Sequence, residues 1–144
     1  MISQTAEYAL RSVICLASTP KTALTTVQIA KITKVPGSYL SKVLQALGKA
    51  GIVSSQRGLH GGFSLAKPAD GLSLLEVINA VDPLQHIDSC PLGLNQHGSN
   101  LCPLHKRLNK AICMIEKEYR ESSISDLLRE PTESKPLCET VENI

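Results

Sequence analysis

Residues 24 to 67 constrain this chain most, because a capped helix, a tight turn, a second helix and a glycine-rich hairpin follow one another there without slack. Thr25 and Gln28 have the spacing of a capping box, which predicts a helix opening at Thr25 with Ile29, Ala30 and Ile32 inward. That helix is expected to stop near Val35. Pro36 disfavours helical geometry in the residue before it but suits the first turn of a new helix. In that second helix Tyr39, Leu40, Val43, Leu44, Leu47 and Ala50 recur at steps of three and four, defining one buried face. Gly51 is placed as a left-handed cap, and Ile52 to Gln56 and Phe63 to Ala66 are expected to pair as strands across residues 57–62.

The opposite face of the second helix carries Ser38, Ser41, Lys42, Gln45 and Lys49, with no carboxylate to repel phosphate. On an isolated helix such a stripe is an ordinary solvated face. Followed by a hairpin, it has the mixture of groups needed to read base edges and grip a DNA backbone. Glycines 58, 61 and 62 let the hairpin tip pass close to a sugar-phosphate chain, and Arg57 and His60 supply a fixed and a titratable donor where a minor groove lies. The candidate DNA contacts are therefore Thr26, Ser38, Tyr39, Ser41, Lys42, Gln45, Arg57, His60 and Gly61, with Arg57 foremost. The overall charge is only +2, yet residues 21 to 67 hold Lys21, Lys31, Lys34, Lys42, Lys49, Arg57 and Lys67 and no Asp or Glu. The acids gather between 116 and 142, so a cationic head and an acidic end partly cancel in the sum.

The remaining organisation is readable at coarse resolution. Residues 3 to 18 predict a first helix with Tyr8, Leu10, Val13, Ile14 and Ala17 inward and Glu7 spaced four from Arg11. Ser73 and Glu76 form another capping box ahead of a helix that Asp82-Pro83 ends. From Leu84 to Asn100 runs a loop rich in Pro, Gly, Asn and His, long enough to be functional or disordered. A long helix returns from Pro103 to about Glu121. Leu101, Leu104, Leu108, Ala111, Ile115 and Glu118 make a narrow seam on it, widened by Ile112 and Tyr119, and the seam predicts that a second copy packs there. A short helix is possible at Ile124 to Arg129, within an end expected to be flexible.

The expected architecture is mainly α with a small β-hairpin wing. Residues 1–82 form a winged helix-turn-helix domain, 83–102 a ligand loop, 103–121 a dimerisation helix and 122–144 a flexible tail. At 144 residues, 42% hydrophobic with one Phe and no Trp, the chain supports one aliphatic, helix-rich core. No apolar run approaches the roughly 20 residues of a bilayer crossing, so a cytosolic protein is expected. Five cysteines suit free thiols or metal ligands better than a disulfide framework. Cys15 and Cys113 lie beside apolar neighbours and read as small core residues, while Cys138 has no interpretable context. An enzyme is the weakest reading, since neither an acid-base pair, a nucleophile with its base nor a phosphate-cradling loop stands out.

Cys90, His97, Cys102 and His105 are soft or borderline donors gathered within 16 positions at a helix start, and such clustering is metal-like. Three segments then carry a resemblance: the start from Met1 to Arg11, the run Pro36-Gly37-Ser38-Tyr39-Leu40, and Arg57-Gly58-Leu59-His60-Gly61-Gly62-Phe63-Ser64-Leu65-Ala66. In order and spacing they resemble the bacterial regulator family that includes the iron-sulfur cluster regulator IscR and the nitric-oxide sensor NsrR, over residues 1 to about 120. The resemblance implies a homodimeric winged-helix transcription regulator whose long helix crosses its mate and whose preceding loop carries a sensor. In cluster-binding members three cysteines, each separated by five residues, precede a histidine three positions on. Cys90, Cys102 and His105 match that pattern, and Gln96 stands where the middle cysteine belongs.

By this resemblance an iron-sulfur cluster, of the two-iron, two-sulfide type, takes Cys90, Cys102 and His105 as ligands, with His97 or the partner subunit's Glu7 completing the set. The alternatives are a cluster-free regulator of the same fold, using Cys90 and Cys102 as a thiol switch or answering to a protein partner, and a metal-trafficking or interaction module without DNA. The last has no need of the cationic stripe. The reading that follows is a homodimer on double-stranded DNA at a palindromic operator, whose half-sites lie roughly 34 Å or a multiple apart.

Overall fold

The structure is a computed structural model that describes residues 2–97 and 100–137. It is mainly helical: α1 (Gln4–Ser18), α2 (Thr26–Thr33), α3 (Gly37–Lys49), strands β1 (Val53–Gln56) and β2 (Gly62–Leu65), a 3-10 turn at Ala69–Gly71, then α4 (Leu74–Val81), α5 (Pro103–Glu121) and α6 (Ile124–Arg129). This is the winged helix-turn-helix architecture with a long later helix that the sequence predicts.

Local chemistry sets the helix ends. The Ser3 side chain accepts from Ala6 N at 3.2 Å and starts α1. At α2 the box closes both ways, Gln28 N donating to Thr25 Oγ1 at 3.3 Å and Thr25 N to Gln28 Oε1 at 2.8 Å. The helix ends at Thr33, two residues before Val35, because Lys34 takes the left-handed conformation at φ 58°. Pro36 is the residue before α3 and is extended, at φ −58° and ψ 134°, rather than part of its first turn. Gly51 caps the other end at φ +71°.

Ala9, Val13 and Leu16 of α1, Ile29 and Ile32 of α2, Leu40, Leu44 and Leu47 of α3, and Val77 of α4 are buried in one aliphatic core. Each buried Val, Leu or Ile side chain stabilises the fold by about 1.5–3 kcal/mol through removal from water. On α1 the fully buried face is Ala6, Ala9, Ser12, Val13, Cys15 and Leu16. Tyr8, Leu10, Ile14 and Ala17, expected inward, are only half-buried at its flanks. Two residues expected on the buried face of α3 are exposed. Ala50 lies past the last helical residue, and Tyr39 keeps 52% of its surface, at the edge of the apolar stripe.

The hairpin is antiparallel, with Val53 opposite Leu65 and Gln56 opposite Gly62, so β1 starts and β2 both starts and ends one residue from the expected bounds. The last segment also departs from expectation. Ile124 N donates to Leu72 O at 2.9 Å and Leu74 N to Ser122 O at 3.0 Å, which clamps the end of α5 to the start of α4 and buries Ile124 completely. Ser123 and Asp126 form a third capping box. Residues 122–130 are therefore a docked helix instead of a flexible tail. Residues 131–137 follow in bends and turns, with Leu137 packed against the core, and residues 138–144, Cys138 among them, lie outside the described residues.

Candidate nucleic-acid interface

On α3 the residues between the buried positions, Ser38, Ser41, Lys42, Gln45 and Lys49, are all exposed on one side. Ser41 returns its hydroxyl to Gly37 O at 3.1 Å, while the Lys42 and Gln45 side chains make no hydrogen bond or ion pair among the described residues. Thr26, in the first turn of α2, is half-buried. Tyr39 is fixed from behind: its ring meets the edge of Tyr8 at 6.0 Å, 69° apart in plane, and Arg11 lies 5.8 Å from the Tyr8 centroid. Arg11 also donates to Thr33 O at 3.4 Å and pairs with Glu7 at 3.1 Å. The first helix thus sets both the end of α2 and the first turn of α3, which presents the stripe.

The wing is anchored by an element the sequence did not announce. Leu24 bridges Phe63 as a third, one-residue strand, with Leu24 N to Phe63 O at 2.9 Å and Phe63 N to Leu24 O at 2.7 Å. Gly62 sits at φ +152°, and a Cβ there meets the Leu24 carbonyl at 2.6 Å, so only glycine lets the backbones approach. Gly61 is excluded from carrying a side chain by Gln56 O at 2.7 Å, and Gly58 turns at φ +110°. Gly61 therefore serves the turn. Arg57, Leu59 and His60 are exposed at the tip, Leu59 by 96%. Leu59 escaped notice in the sequence because an apolar residue in a hairpin reads as a core residue.

The loop between α4 and α5 brings its donors together in pairs. Cys102 Sγ lies 3.3 Å from His105 Nδ1. The Cys90 thiol is held below its ordinary value of 9.0, first by the backbone at Leu94, then by the His97 imidazole and the backbone at Leu92. His97 Nδ1 is shut off from solvent without a hydrogen-bond partner among the described residues, and Gln96 is exposed. Two thiols and two imidazoles are suitable chemistry for iron or an iron-sulfur cluster. Among the described residues, however, no three metal-binding side chains come together, and the Glu7 carboxylate is engaged by Arg11. The donor set fits such a group, and among the described residues it is arranged as two separate pairs. Cys15 is a core residue as expected, and burial pushes its thiol up to about 11. Cys113 is not: it is exposed.

On α5 no residue is fully buried, Leu104 is 62% and Leu108 46% exposed, and Ala111 is exposed as well. Leu101, placed in the seam by its spacing, precedes the helix. The loop is tied to α5 by residues that sequence spacing could not connect. Ile87 N donates to Asn109 Oδ1 at 2.9 Å, and His86 Nε2 meets Glu116 Oε2 at 2.7 Å. No described helix is long and apolar enough to cross a membrane.

A capped helix pair with an exposed cationic stripe, backed by a hairpin bridged to the start of the pair, defines a winged helix-turn-helix DNA reader. The chain belongs to the Rrf2 family, described as iron-dependent transcriptional regulators, whose model matches residues 2–130. It is 30% identical over 131 residues to a protein of Aquifex aeolicus (strain VF5) named "Putative HTH-type transcriptional regulator", covering 89% of this chain and 91% of that one. Among solved structures it is similar to T. potens IscR, with a TM-score of 0.75 and 21% identity over 92% of this chain and 89% of that one. It is also similar to CymR, the global cysteine regulator of B. subtilis, with a TM-score of 0.74 and 22% identity over 88% and 95% of the two chains. The oxidised form of Staphylococcus aureus CymR gives 0.72 and 22% over 93% and 99%. At these identities the solved structures speak for the fold. The family is one of transcriptional regulators and not of enzymes.

Proposed function

We propose that this regulator works as a homodimer, in which each α3 enters a major groove of a palindromic operator and each wing reaches the adjoining minor groove. The observation that carries the reading is the exposed Ser38, Ser41, Lys42, Gln45 and Lys49 stripe, lying in a segment of seven cations and no acids that runs through Arg57 to Lys67. Phosphate neutralisation by Lys42, Lys49 and Arg57 supplies affinity, while Gln45 and the serines meet base edges and Tyr39 and Thr26 flank them. The apolar face left open on α5 supports a twofold partner across that helix.

Control belongs to the loop at residues 83–102. Its lowered Cys90 thiol beside His97, and its Cys102–His105 pair, support a segment whose thiols respond to oxidation or to a soft metal. A second reading is favoured by the family's iron dependence and by the donor set: an iron-sulfur cluster of the two-iron, two-sulfide type on Cys90, Cys102 and His105, with His97 or the partner subunit's Glu7. In either case a change in the loop is passed to α5, to which Asn109 and Glu116 fasten it, and so alters the spacing of the two recognition helices. Selection of bound duplexes from a random DNA pool tests the assignment. An enriched inverted repeat is the expected result, and enrichment of a single half-site, or of nothing, overturns it.

A further inference from the structure

Cys113 lies on the face of α5 opposite the exposed leucines. Asn109, Cys113, Glu116 and Arg120 follow one another at steps of three and four and share that face, while Leu104, Leu108 and Ile115 point the other way. Packing a second copy along the leucine side therefore leaves the cysteine side open. Onto this face the loop lays His86. The ring is held at both nitrogens, Nε2 at 2.7 Å from Glu116 Oε2 and Nδ1 at 3.9 Å from Cys113 Sγ, within hydrogen-bond range for sulfur. Arg120 grips the second oxygen of the same carboxylate, and the neighbouring Ile87 amide is pinned to Asn109. The result is an exposed thiol, an imidazole in reach of it, and a carboxylate that orients the imidazole.

We infer that Cys113 is a modification site, a nucleophilic thiol served by His86 as base and by Glu116 as the group that positions that base, with hydroperoxides as its reactants. A thiol, a base within reach and a third group holding the base are the parts by which proteins activate a nucleophile. The thiol proton passes to His86 and the sulfur attacks one peroxide oxygen. A sulfur–oxygen bond forms as the oxygen–oxygen bond breaks, and the sulfur gives up two electrons. The departing oxygen takes the electron pair of the broken bond and the proton from His86 and leaves as water from hydrogen peroxide, or as the alcohol from an organic hydroperoxide, so that Cys113 becomes a sulfenic acid. The site shares no residue with the Cys90, His97, Cys102 and His105 set.

The test is a time course on the full chain, with hydrogen peroxide followed by dimedone and, in parallel, with iodoacetamide, each cysteine being followed by peptide mass spectrometry. Wild type is compared with His86→Asn and Glu116→Gln. Cys15, buried and raised to about 11, reports an intact core by staying unlabelled. The expected result is slower Cys113 modification by about a hundredfold in His86→Asn, the low end of what a positioned base supplies, and by a smaller factor in Glu116→Gln. Unchanged Cys113 rates in His86→Asn with Cys15 still protected overturn the inference. If His86→Asn itself exposes Cys15, Glu116→Gln decides by the same criterion: slowed labelling supports the site and unchanged labelling overturns it.

Discussion

Leu24 and Phe63 exchange both of their backbone hydrogen bonds, at 2.9 and 2.7 Å, and so bind the wing to the residue that leads into α2. The wing is thereby placed relative to the helix pair by this hydrogen-bonded bridge as well as by its own two strands. Gly62 is the point of closest approach, where an added Cβ falls 2.6 Å from the Leu24 carbonyl and the backbone sits at φ +152°. Gly62→Ala is expected to cost about 1–3 kcal/mol of stability, the usual size of a backbone forced from a conformation only glycine tolerates. Urea unfolding measures this, and a loss below about 0.5 kcal/mol shows that the bridge is not a constraint.

Phosphate contacts can be counted through salt. Arg57→Ala and Lys42→Ala should each weaken DNA binding and flatten the log-log salt dependence by about 0.9 per lost contact. Titrations across a salt series read the slope. Parental affinity and slope in both variants would remove Arg57 and Lys42 from the interface.

Assembly rests on the open face of α5. Leu108→Glu and Ile115→Glu each set a carboxylate opposite its own copy across a twofold axis, and both should shift the protein to monomers with lost operator binding. Sedimentation velocity gives the answer. Dimers in both variants place the partner surface elsewhere.

Loop chemistry divides between the two forms of control. Protein prepared without oxygen, assayed for iron and acid-labile sulfide, is expected to contain both if the cluster reading holds, and Cys90→Ala or Cys102→Ala should then abolish them because thiolates anchor such clusters. His97→Ala should destabilise that cluster and Gln96→Ala leave it intact. Absence of sulfide after reconstitution, with operator binding that follows the oxidation state of Cys90 and Cys102, selects the thiol switch.

Features encoded within a few residues were legible in the chain. The Thr25/Gln28 and Ser73/Glu76 boxes, the Gly51 cap and the polar stripe of α3 each depend on neighbours within one or two helical turns, and the structure has all of them. Periodicity was blind to what covers a flank, so it could not tell that Tyr39 rests against Tyr8 and stays half in solvent. Prolines and charges around Ile124 suggested mobility, because the backbone bridge to Leu72 and Leu74 involves residues some fifty positions away and leaves no local pattern. The same distance hid the second thiol face: His86 and Glu116 are 30 residues apart, and Cys113 looked like a core residue from its neighbours alone.

The described part of the loop from Leu84 is fastened by hydrogen bonds to Asn79, Asn109 and Glu116, and none of its hydrogen bonds or ion pairs reaches residues 21–67. On the proposed reading, sensing chemistry and DNA reading therefore draw on separate side chains, joined through α4 and α5. A substitution in the loop is then expected to leave the address on the genome intact, and a substitution on α3 to leave the stimulus intact. One reading head can accordingly be refitted with a different detector in few mutational steps, which makes Gln96 in place of a cysteine an inexpensive change to the fold and a consequential one for what is detected.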